Sequence, residues 1–358
     1  VLELTPGIRS LQVHFDPLRI AQSSLFKHLK GLIQQLTDHK KTKVPSRIIR
    51  LPLSWDDSQC KLAIEKYDQV VRKNAPWFPS NIEFIRRING LQSIEEVKRV
   101  VFEASYLVMG LGDVYLGAPV ATPVDPRHRL VTTKYNPART WTAENSVGIG
   151  GSYLCIYGME GPGGYQFVGR TLQMWNRHRQ TAEFAKPWLL RFFDQIQFYE
   201  VDEAELARIR EDFPLGHFPI DIEETEFSLV DYHAFLQEHS SSIARFKQAQ
   251  QSAFDAELNS WKMTGQFHFE EQVPEPEAEQ ETVPEGIETV DSPVAGSLWK
   301  WAVEEGDVVG TGEVLLILES MKMEIEVSAP CAGTIHKMLK PTGASVQAGM
   351  PLVFIEAE

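Results

Sequence analysis

Apolar residues in the first hundred positions alternate between strand-like and helix-like spacing. Residues 11–15 place apolar side chains at every second position, which predicts a strand. Residues 25–36 place them three or four apart, which predicts a helix. Residues 47–53 form a further predicted strand, and Pro52 favours an edge position because proline has no amide hydrogen for a neighbouring strand. The pattern predicts an α+β subdomain over 1–109.

The next part of the chain carries one long helix signal and then short β runs. Ser93 and Glu96 have the spacing of a capping box. The apolar face that follows reaches Val108 before the glycines of 110–112 end the predicted helix. Glycine and proline then separate short apolar runs, which is typical of a compact β barrel and predicts one over 110–228.

Two segments of opposite character follow the predicted barrel. Residues 229–266 keep apolar side chains at helical spacing and predict a helical extension. Residues 267–286 are rich in Glu and Pro and contain no Lys or Arg. Such a segment repels itself and buries little surface, so it predicts a flexible linker. An acidic docking tail is the alternative.

The last part of the chain repeats itself with a shift of 37 residues. Gly306 falls on Gly343, and the apolar run 314–318 falls on 351–355. Two similar half-units of buried strands and turn glycines therefore follow each other. The repeat predicts an all-β barrel-sandwich domain with a pseudo-twofold axis over 287–358.

A lysine between two methionines, Met321-Lys322-Met323, stands where the first half-unit passes into the second. Together with the repeat, this motif resembles the biotinyl and lipoyl carrier domains. The methionines resemble the biotin form, since lipoyl domains usually have an aspartate at the position of Met321. The resemblance implies that a biotin protein ligase attaches biotin covalently to Lys322. A lipoyl carrier of a 2-oxoacid complex is the alternative.

Composition and charge narrow the classes of function. The 358 residues carry a net charge of −14, so no basic face for nucleic acid is expected. Three widely spaced cysteines fit neither a disulfide framework nor a metal site, and no apolar run has the length of a membrane span. We therefore expect a cytoplasmic protein that binds neither metal, nucleic acid nor membrane. The chain begins Val1-Leu2-Glu3, so we expect it to be the C-terminal part of a longer polypeptide.

Four motifs stand out in the N-terminal two thirds: TPGIRS at 5–10, GAPVATP at 117–123, SVGIGG at 146–151 and GGYQFVGRT at 163–171. They resemble the allophanate-hydrolase-subunit-1 family, which is also described as kinase-inhibitor-like. The resemblance spans most of 1–210, without the first strands of the family. It implies a cyclophilin-like β barrel after a small α+β domain.

Joined to a biotinyl domain, this arrangement resembles the C-terminal region of urea carboxylases and of the urea amidolyases that contain them. The resemblance implies an upstream biotin carboxylase domain, which uses ATP, bicarbonate and Mg, and a sister cyclophilin-like domain that completes the carboxyltransferase. It implies an enzyme that moves CO2 from carboxybiotin on Lys322 to a urea nitrogen to give allophanate, and it allows a homo-oligomer. The alternatives are a guanidine carboxylase of the same architecture and a biotinyl carrier fused to a non-catalytic binding module.

Polar residues of the predicted barrel supply the catalytic candidates. A urea N–H is a very weak acid, so the site must stabilise developing negative charge and bind both N–H and carbonyl groups. Asp125 is a candidate acceptor for urea N–H groups, and Lys134 or Arg139 is a candidate to balance a carboxylate or an enolate. For each candidate, a salt bridge, a cap or a turn hydrogen bond is the alternative role. Three side chains are candidates to bind the amide of urea: Asn136, Asn145 and Gln166.

Overall fold

The structure is a computed structural model that describes residues 1–8, 10–35, 42–112, 117–267, 286–320 and 323–357. The described residues form a β barrel covered by helices and an all-β C-terminal unit, which confirms the predicted fold class. Parts of the sequence predictions lie outside the described residues: Met321, Lys322 and all of the predicted linker except its two end residues.

The chain begins with a two-stranded hairpin and a helix. Its elements are β1 (Glu3–Pro6), β2 (Leu11–His14) and α1 (Gln22–Gln35). The predicted strand at 11–15 and the predicted helix at 25–36 are therefore confirmed, apart from residue 36, which is outside the described residues.

Seven strands form the predicted barrel: β3 (Lys43–Trp55), β4 (Tyr106–Gly112), β5 (Ala118–Pro123), β6 (Ser146–Gly150), β7 (Tyr153–Ile156), β8 (Gln166–Arg170) and β9 (Gln195–Val201). Their order around the ring is β3-β8-β6-β7-β5-β4-β9, and β9 returns to β3. The β3–β9 pair is parallel and the other neighbours are antiparallel. Apolar side chains from all sides fill the interior, among them Leu51, Val147 and Ile196.

Strand β3 is longer and more central than the sequence pattern predicted. It pairs with β8, with β9 and with an eighth strand outside the ring, β10 (Asp221–Ser228), so the edge position predicted from Pro52 is wrong. The proline is tolerated because the ladder with β10 ends at Arg50, and no partner on that side needs the missing amide hydrogen. Since β3 belongs to both the ring and the range 1–109, the α+β region and the barrel share a strand. The predicted domain boundaries stay predictions.

Three helices cover the barrel: α2 (Ser58–Val70), α3 (Asn81–Ile88) and α4 (Ile94–Glu103). Helix α4 begins as predicted, since the Ser93 hydroxyl accepts a hydrogen bond from the Glu96 amide at 3.2 Å. Its predicted end is wrong. Ala104 already has extended backbone angles, and Val108 lies fully buried in β4. Packing of β4 into the barrel therefore ends the helix before the glycines do.

The remaining helices are α5 (Glu203–Asp212), α6 (Leu229–Glu238) and α7 (Ser240–Met263). Helices α6 and α7, which are separated at His239, occupy most of the range 229–266 that was predicted to be a helical extension. Trp261 of α7 packs on Phe84 of α3, with 5.9 Å between the ring centroids. Among the described helices, none is long and apolar enough to cross a membrane.

The C-terminal unit, residues 286–357 and below called the carrier unit, is built from eight strands. Its two four-stranded sheets have the orders β11-β18-β16-β13 and β15-β14-β12-β17. Each sheet contains two strands from each half of the repeat, which confirms the predicted barrel-sandwich with a pseudo-twofold axis. The strands are β11 (Ile287–Asp291), β12 (Gly296–Trp301), β13 (Val308–Val309), β14 (Val314–Ser320), β15 (Met323–Ser328), β16 (Gly333–Met338), β17 (Ser345–Val346) and β18 (Pro351–Ala357).

Candidate functional site

The hairpin of β14 and β15 carries the lysine motif. Strand β14 ends at Ser320, β15 begins at Met323, and these two residues face each other in the antiparallel register. The Ser320 hydroxyl donates to the Ala295 carbonyl at 2.6 Å, which ties this end of the strand to the rest of the unit. Met323 is 63% exposed. Met321 and Lys322 lie outside the described residues, and their described neighbours stand at an accessible end of the carrier unit.

The carrier unit contacts helix α2 of the barrel region. Lys66 of α2 forms an ion pair with Glu324 of β15, and its Nζ lies 3.7 Å from the centroid of the Trp299 ring. Three residues further along, the Gln69 carbonyl touches the turn at Gly343 so closely that a Cβ on this glycine would overlap it. The hairpin that carries the lysine motif is therefore in contact with α2.

The loop 133–141 lies against the same helix. Arg72 Nη1, just beyond the end of α2, donates to the Asn136 carbonyl at 2.7 Å. The Trp141 ring lies with its centroid 4.4 Å from Lys66 Nζ. Because Lys66 contacts both this loop and the carrier unit, the loop is next to the docked hairpin.

Arg139 is a buried cation within this loop. It is 1% exposed, and its guanidinium carbon lies 3.8 Å from the centroid of the Phe167 ring and 4.3 Å from that of Tyr135. Nη1 donates to the Tyr165 carbonyl at 2.8 Å, and Nε donates to the Thr142 hydroxyl at 3.3 Å. Nη2 has no hydrogen-bond partner, and no carboxylate pairs with Arg139, among the described residues. Burying an uncompensated charge is expensive, so this position favours an anionic partner.

Two more polar atoms without partners lie in the same region. Gln166 of β8 is fully buried, and its Nε2 donates to the Thr133 carbonyl at 3.0 Å. Within the described part of the chain, Gln166 Oε1 and the Thr133 hydroxyl have no hydrogen-bond partner. Proteins leave few buried polar atoms unpaired, and each one calls for an explanation. With Arg139 Nη2, this part of the fold contains three buried polar atoms that have no partner among the described residues.

Lys134 and Asn136 are exposed on the outer side of this region. Lys134 Nζ lies 5.1 Å from the centroid of the Tyr165 ring, and Tyr165 directly precedes Gln166. Of the six barrel candidates predicted from sequence, the structure thus brings four together near the docked carrier: Lys134, Asn136, Arg139 and Gln166.

Asp125 lies in a different part of the fold. Its carboxylate accepts from the backbone amide of Arg127 at 2.8 Å and pairs with the Arg127 guanidinium at 2.6 Å. Burial alone would raise the pKa of Asp125, but the hydrogen bonds and the charge of Arg127 hold this pKa below its ordinary value. Asp125 lines an open cavity of about 420 Å³ with His128 and residues of α6. No described hydrogen bond or ion pair joins it to Lys134 or Gln166.

Asn145 is buried, and both polar ends of its side chain are used. Its Oδ1 accepts from Arg210 Nη1, and its Nδ2 donates to the Gln173 side-chain oxygen. Arg210 also pairs with Glu144, and burial lowers the pKa of Arg210. The backbone of Asn145 has a φ of +62°, which asparagine tolerates better than most residues. These contacts connect the loop before β6 to helix α5.

Sequence reasoning missed the residues that join the two units: Lys66, Trp141 and Trp299. Helix α2 buries an apolar stripe that includes Cys60, Ala63 and Tyr67, and Lys66 lies at its border. A lysine at the border of a buried apolar stripe indicates only weakly that another part of the chain packs on it. The sequence around Trp141 and Trp299 did not indicate their contact with Lys66, because contacts between distant parts of the chain leave no spacing pattern.

Comparison with known proteins identifies both regions. Residues 1–185 match the family model described as carboxyltransferase domain, subdomain C and D, and residues 283–355 match the model described as biotin-requiring enzyme. The urea amidolyase of Saccharomyces cerevisiae is 38% identical over 356 residues, which are 99% of this chain and 19% of that protein. A putative urea carboxylase of Emericella nidulans is 33% identical over 357 residues, or 97% of this chain and 28% of that protein.

A solved structure resembles nearly the whole chain. The crystal structure of the Kluyveromyces lactis urea carboxylase matches with a TM-score of 0.87 and 38% identity, over 99% of this chain and 31% of that one. The chain thus spans less than a third of the length of each of these three proteins. The carboxyltransferase model covers more than half of the chain, including most of the barrel against which the carrier unit docks. The chain therefore belongs to the family of carboxyltransferase domains, subdomains C and D, with a unit of the biotin-requiring type at its C-terminal end.

Proposed function

We propose that this chain is the carboxyltransferase and biotin-carrier portion of a biotin-dependent urea carboxylase. One observation carries the proposal: the hairpin that contains the lysine motif is docked next to loop 133–141, where a buried donor of Arg139 has no partner among the described residues. A carrier unit held there would bring its carboxyl group to a place where a small polar substrate finds hydrogen-bond partners. The names of the similar proteins, urea amidolyase and urea carboxylase, support urea as that substrate.

Lys322 is the proposed attachment point of biotin. The described residues on either side fit this role, since Ser320 and Met323 pair at an accessible end of a hairpin. A biotin protein ligase can reach this end without unfolding the carrier core. Biotin, once attached, supplies a nitrogen that accepts and releases a carboxyl group. Attachment to the same chain raises the effective concentration of the carrier at the barrel.

The barrel residues have to bind urea and stabilise the negative charge that develops on it. Forming a bond from a urea nitrogen to CO2 is assisted by hydrogen-bond donors and positive charge that are already in place. In our proposal, Arg139 Nη2 donates to the urea oxygen, and Gln166 Oε1 accepts from a urea N–H. Lys134 and Asn136 line the approach from the docked hairpin.

Asp125 and Asn145 take supporting roles in this proposal. The carboxylate of Asp125 is engaged by Arg127, and the side chain of Asn145 is engaged by Arg210 and Gln173. Neither has a described hydrogen bond to Lys134, Arg139 or Gln166. We propose that both residues hold loops of the barrel region in place.

The charge of this region favours urea over guanidine. A guanidinium group remains protonated throughout the neutral pH range, whereas urea is neutral. Lys134 and Arg139 both contribute positive charge, and no described carboxylate pairs with Arg139. Binding a cation there would bring like charges together, which is unfavourable in a poorly solvated site.

The complete reaction needs parts beyond the described barrel and carrier. We propose an upstream biotin carboxylase domain that uses ATP, bicarbonate and Mg, and a sister cyclophilin-like domain that completes the walls of the transferase site. A cytoplasmic location and a homo-oligomer belong to the same proposal.

A substrate panel on the complete protein tests the proposed function. ATP turnover is measured with urea, guanidine and acetamide, and the mass of the peptide that contains Lys322 is determined. We expect biotin on Lys322 and stimulation by urea, with both lost in Lys322→Ala. A lipoyl adduct, a bare lysine in protein from its native cell, or stimulation by guanidine alone would contradict the proposal.

A further inference from the structure

Lys66 is enclosed at the contact between the two units. Its side chain is 8% exposed, although lysine is ordinarily among the most exposed residue types. Its Nζ lies between the Trp141 ring, 4.4 Å to the centroid, and the Trp299 ring, 3.7 Å to the centroid. The Glu324 carboxylate forms an ion pair with the same nitrogen. An ammonium group is buried at acceptable cost only when partners of this kind replace its water.

The partners of Lys66 are divided between the two units. Trp141 belongs to the barrel region, whereas Trp299 and Glu324 belong to the carrier unit. Among the described residues, only those of a docked carrier supply the carboxylate and the nearer ring. Without the carrier, Lys66 keeps Trp141 and exchanges the other two partners for water. The environment of this lysine thus depends on whether the carrier is docked.

A second contact on the same helix fixes the orientation of the carrier. The turn at Gly343 rests on the carbonyl of Gln69, and there is no room for a Cβ between them. Gly306 is the equivalent position in the other half of the repeat, 37 residues earlier. It has a similar backbone angle, with φ of +94° against +86°, but a Cβ at Gly306 would have no heavy atom of a described residue beyond its chain neighbours within 4 Å. The two halves of the carrier unit therefore differ in their contact with α2.

We propose that Lys66 and Gln69 form a docking surface that recognises one face of the carrier unit through Trp299, Glu324 and Gly343. Lys66 acts as a positioning residue, since it holds the hairpin next to Lys322 against the barrel without touching the reacting atoms. The proposal rests on the proposed function, because a carrier has to be positioned only if it delivers a group at the barrel. Release of the carrier to other sites requires that this surface opens.

Chemical crosslinking tests the contact directly in the complete protein. A carbodiimide activates a carboxylate, and an amine in contact then forms an amide with it while the carbodiimide takes up the water. We expect a crosslinked peptide that joins Lys66 to Glu324 and disappears in Glu324→Gln. Glu326→Gln, a change on the same strand, is the matched control and should leave the crosslink in place. A wild-type protein that yields no Lys66–Glu324 crosslink overturns the proposal.

Kinetic measurements separate positioning from a purely structural role. A desolvated cation–π contact is worth about 2 kcal/mol, so Lys66→Met should lower kcat for urea-dependent turnover by roughly thirtyfold with little change in the KM for urea. Lys66→Arg, which keeps the charge and the ring contacts, should restore much of the loss. Lys61→Met, a change of an exposed lysine on the same helix, is the control. The rate of carboxyl transfer should fall much less in Lys66→Met when free biotin is used in place of the biotin attached to the carrier unit. An equal loss with free and attached biotin overturns a positioning role.

The glycine pair supplies an independent variant. Gly343→Ala and Gly306→Ala impose similar backbone strain on the carrier unit, but only the first places a Cβ against α2. We expect biotin to be attached to both variants, and the Lys66–Glu324 crosslink to be lost only in Gly343→Ala. Equal crosslinking in the two variants contradicts the proposed orientation. Failure of the proposed function looks different: the wild-type crosslink forms, but urea causes no ATP turnover.

Discussion

The guanidinium carbon of Arg139 lies 3.8 Å from the centroid of the Phe167 ring. Ring contacts of this kind compensate a buried cation only in part, because they contribute about 2 kcal/mol when desolvated. The effective penalty for taking an ion out of water is several kcal/mol. Arg139 is therefore a donor whose charge is only partly compensated, and a reaction that creates negative charge beside it would be favoured.

Replacing Arg139 tests this role. Removing one preorganised donor from an oxyanion site typically lowers kcat by about 100- to 1000-fold, and we expect a loss of this size for urea-dependent turnover in Arg139→Met. The kcat of Arg139→Lys should lie between that of Arg139→Met and that of the wild type, because lysine keeps the charge but lacks the planar fork of donors. Steady-state kinetics of the complete protein measures both.

The same series needs evidence that the barrel stays folded. Attachment of biotin and the Lys66–Glu324 crosslink report on the carrier unit and on its docking surface. Arg50→Met removes an arginine from the outside of β3 that pairs with Asp221 and Glu223, and it should leave turnover close to that of the wild type. Full activity in Arg139→Met, with these controls intact, would show that the buried arginine is not used in the reaction.

The carrier unit could be predicted from sequence because its signals are local and occur twice. Gly306 and Gly343 both have positive φ at the same place in the repeat, and each marks a turn. The runs 314–318 and 351–355 are strands of the same length in the two sheets. A wrong register would have broken one half of this pattern. The fold of the carrier unit could therefore be predicted from the spacing of its glycines and apolar residues alone.

The barrel region was harder to predict because distant contacts decide its details. The start of α4 is local and was predicted from Ser93 and Glu96, but its end depends on the burial of Val108 in β4. Pro52 predicted an edge because the sequence does not reveal where the neighbouring strand stops. Lys66 had no recognisable role, since its partners are at 141, 299 and 324. Residue type identified polar candidates, but it could not say which of them were already engaged.

Asp125 should contribute to stability in a way that depends on pH. Its pKa in the folded protein is held below the ordinary value by Arg127. The stabilisation is therefore present above the ordinary pKa of about 4 and is lost as the pH falls below it. Asp125→Asn removes the charge that pairs with Arg127, so we expect it to lower the free energy of unfolding by about 1 kcal/mol at neutral pH, with a smaller difference in acid. Thermal unfolding at pH 7 and pH 3.5 measures the change.

Activity distinguishes this supporting role from a catalytic one. If Asp125 only holds its loop, urea turnover per folded molecule in Asp125→Asn should stay within a few-fold of the wild type. A loss comparable to that of Arg139→Met would return Asp125 to the list of groups that touch urea.

Asn145 offers a second test of a supporting role. Asn145→Ala removes the acceptor of Arg210 and the donor of Gln173, and leaving such groups unpaired costs about 1–3 kcal/mol. We expect a lower apparent Tm for the variant. Asn145→Asp keeps an acceptor for Arg210, so its Tm should fall by less. The test is whether the Tm of Asn145→Asp is higher than that of Asn145→Ala. An equally low Tm for both would mean that the Arg210 contact does not stabilise the loop.

The three cysteines should differ sharply in reactivity. Burial raises the pKa of Cys60 to about 12 and that of Cys155 to about 12, while Cys331 is partly exposed. The thiolate is the reactive form, so at pH 8 a thiol reagent should modify Cys331 first and the other two only after unfolding. A raised thiol pKa contributes stability that is present below the ordinary value of about 9 and is lost as the pH rises towards 12. Mass spectrometry of labelled peptides at pH 8, with and without denaturant, measures the order. Rapid labelling of Cys60 in the folded protein would contradict the packing of α2 against the barrel, on which the contact between Lys66 and the carrier unit depends.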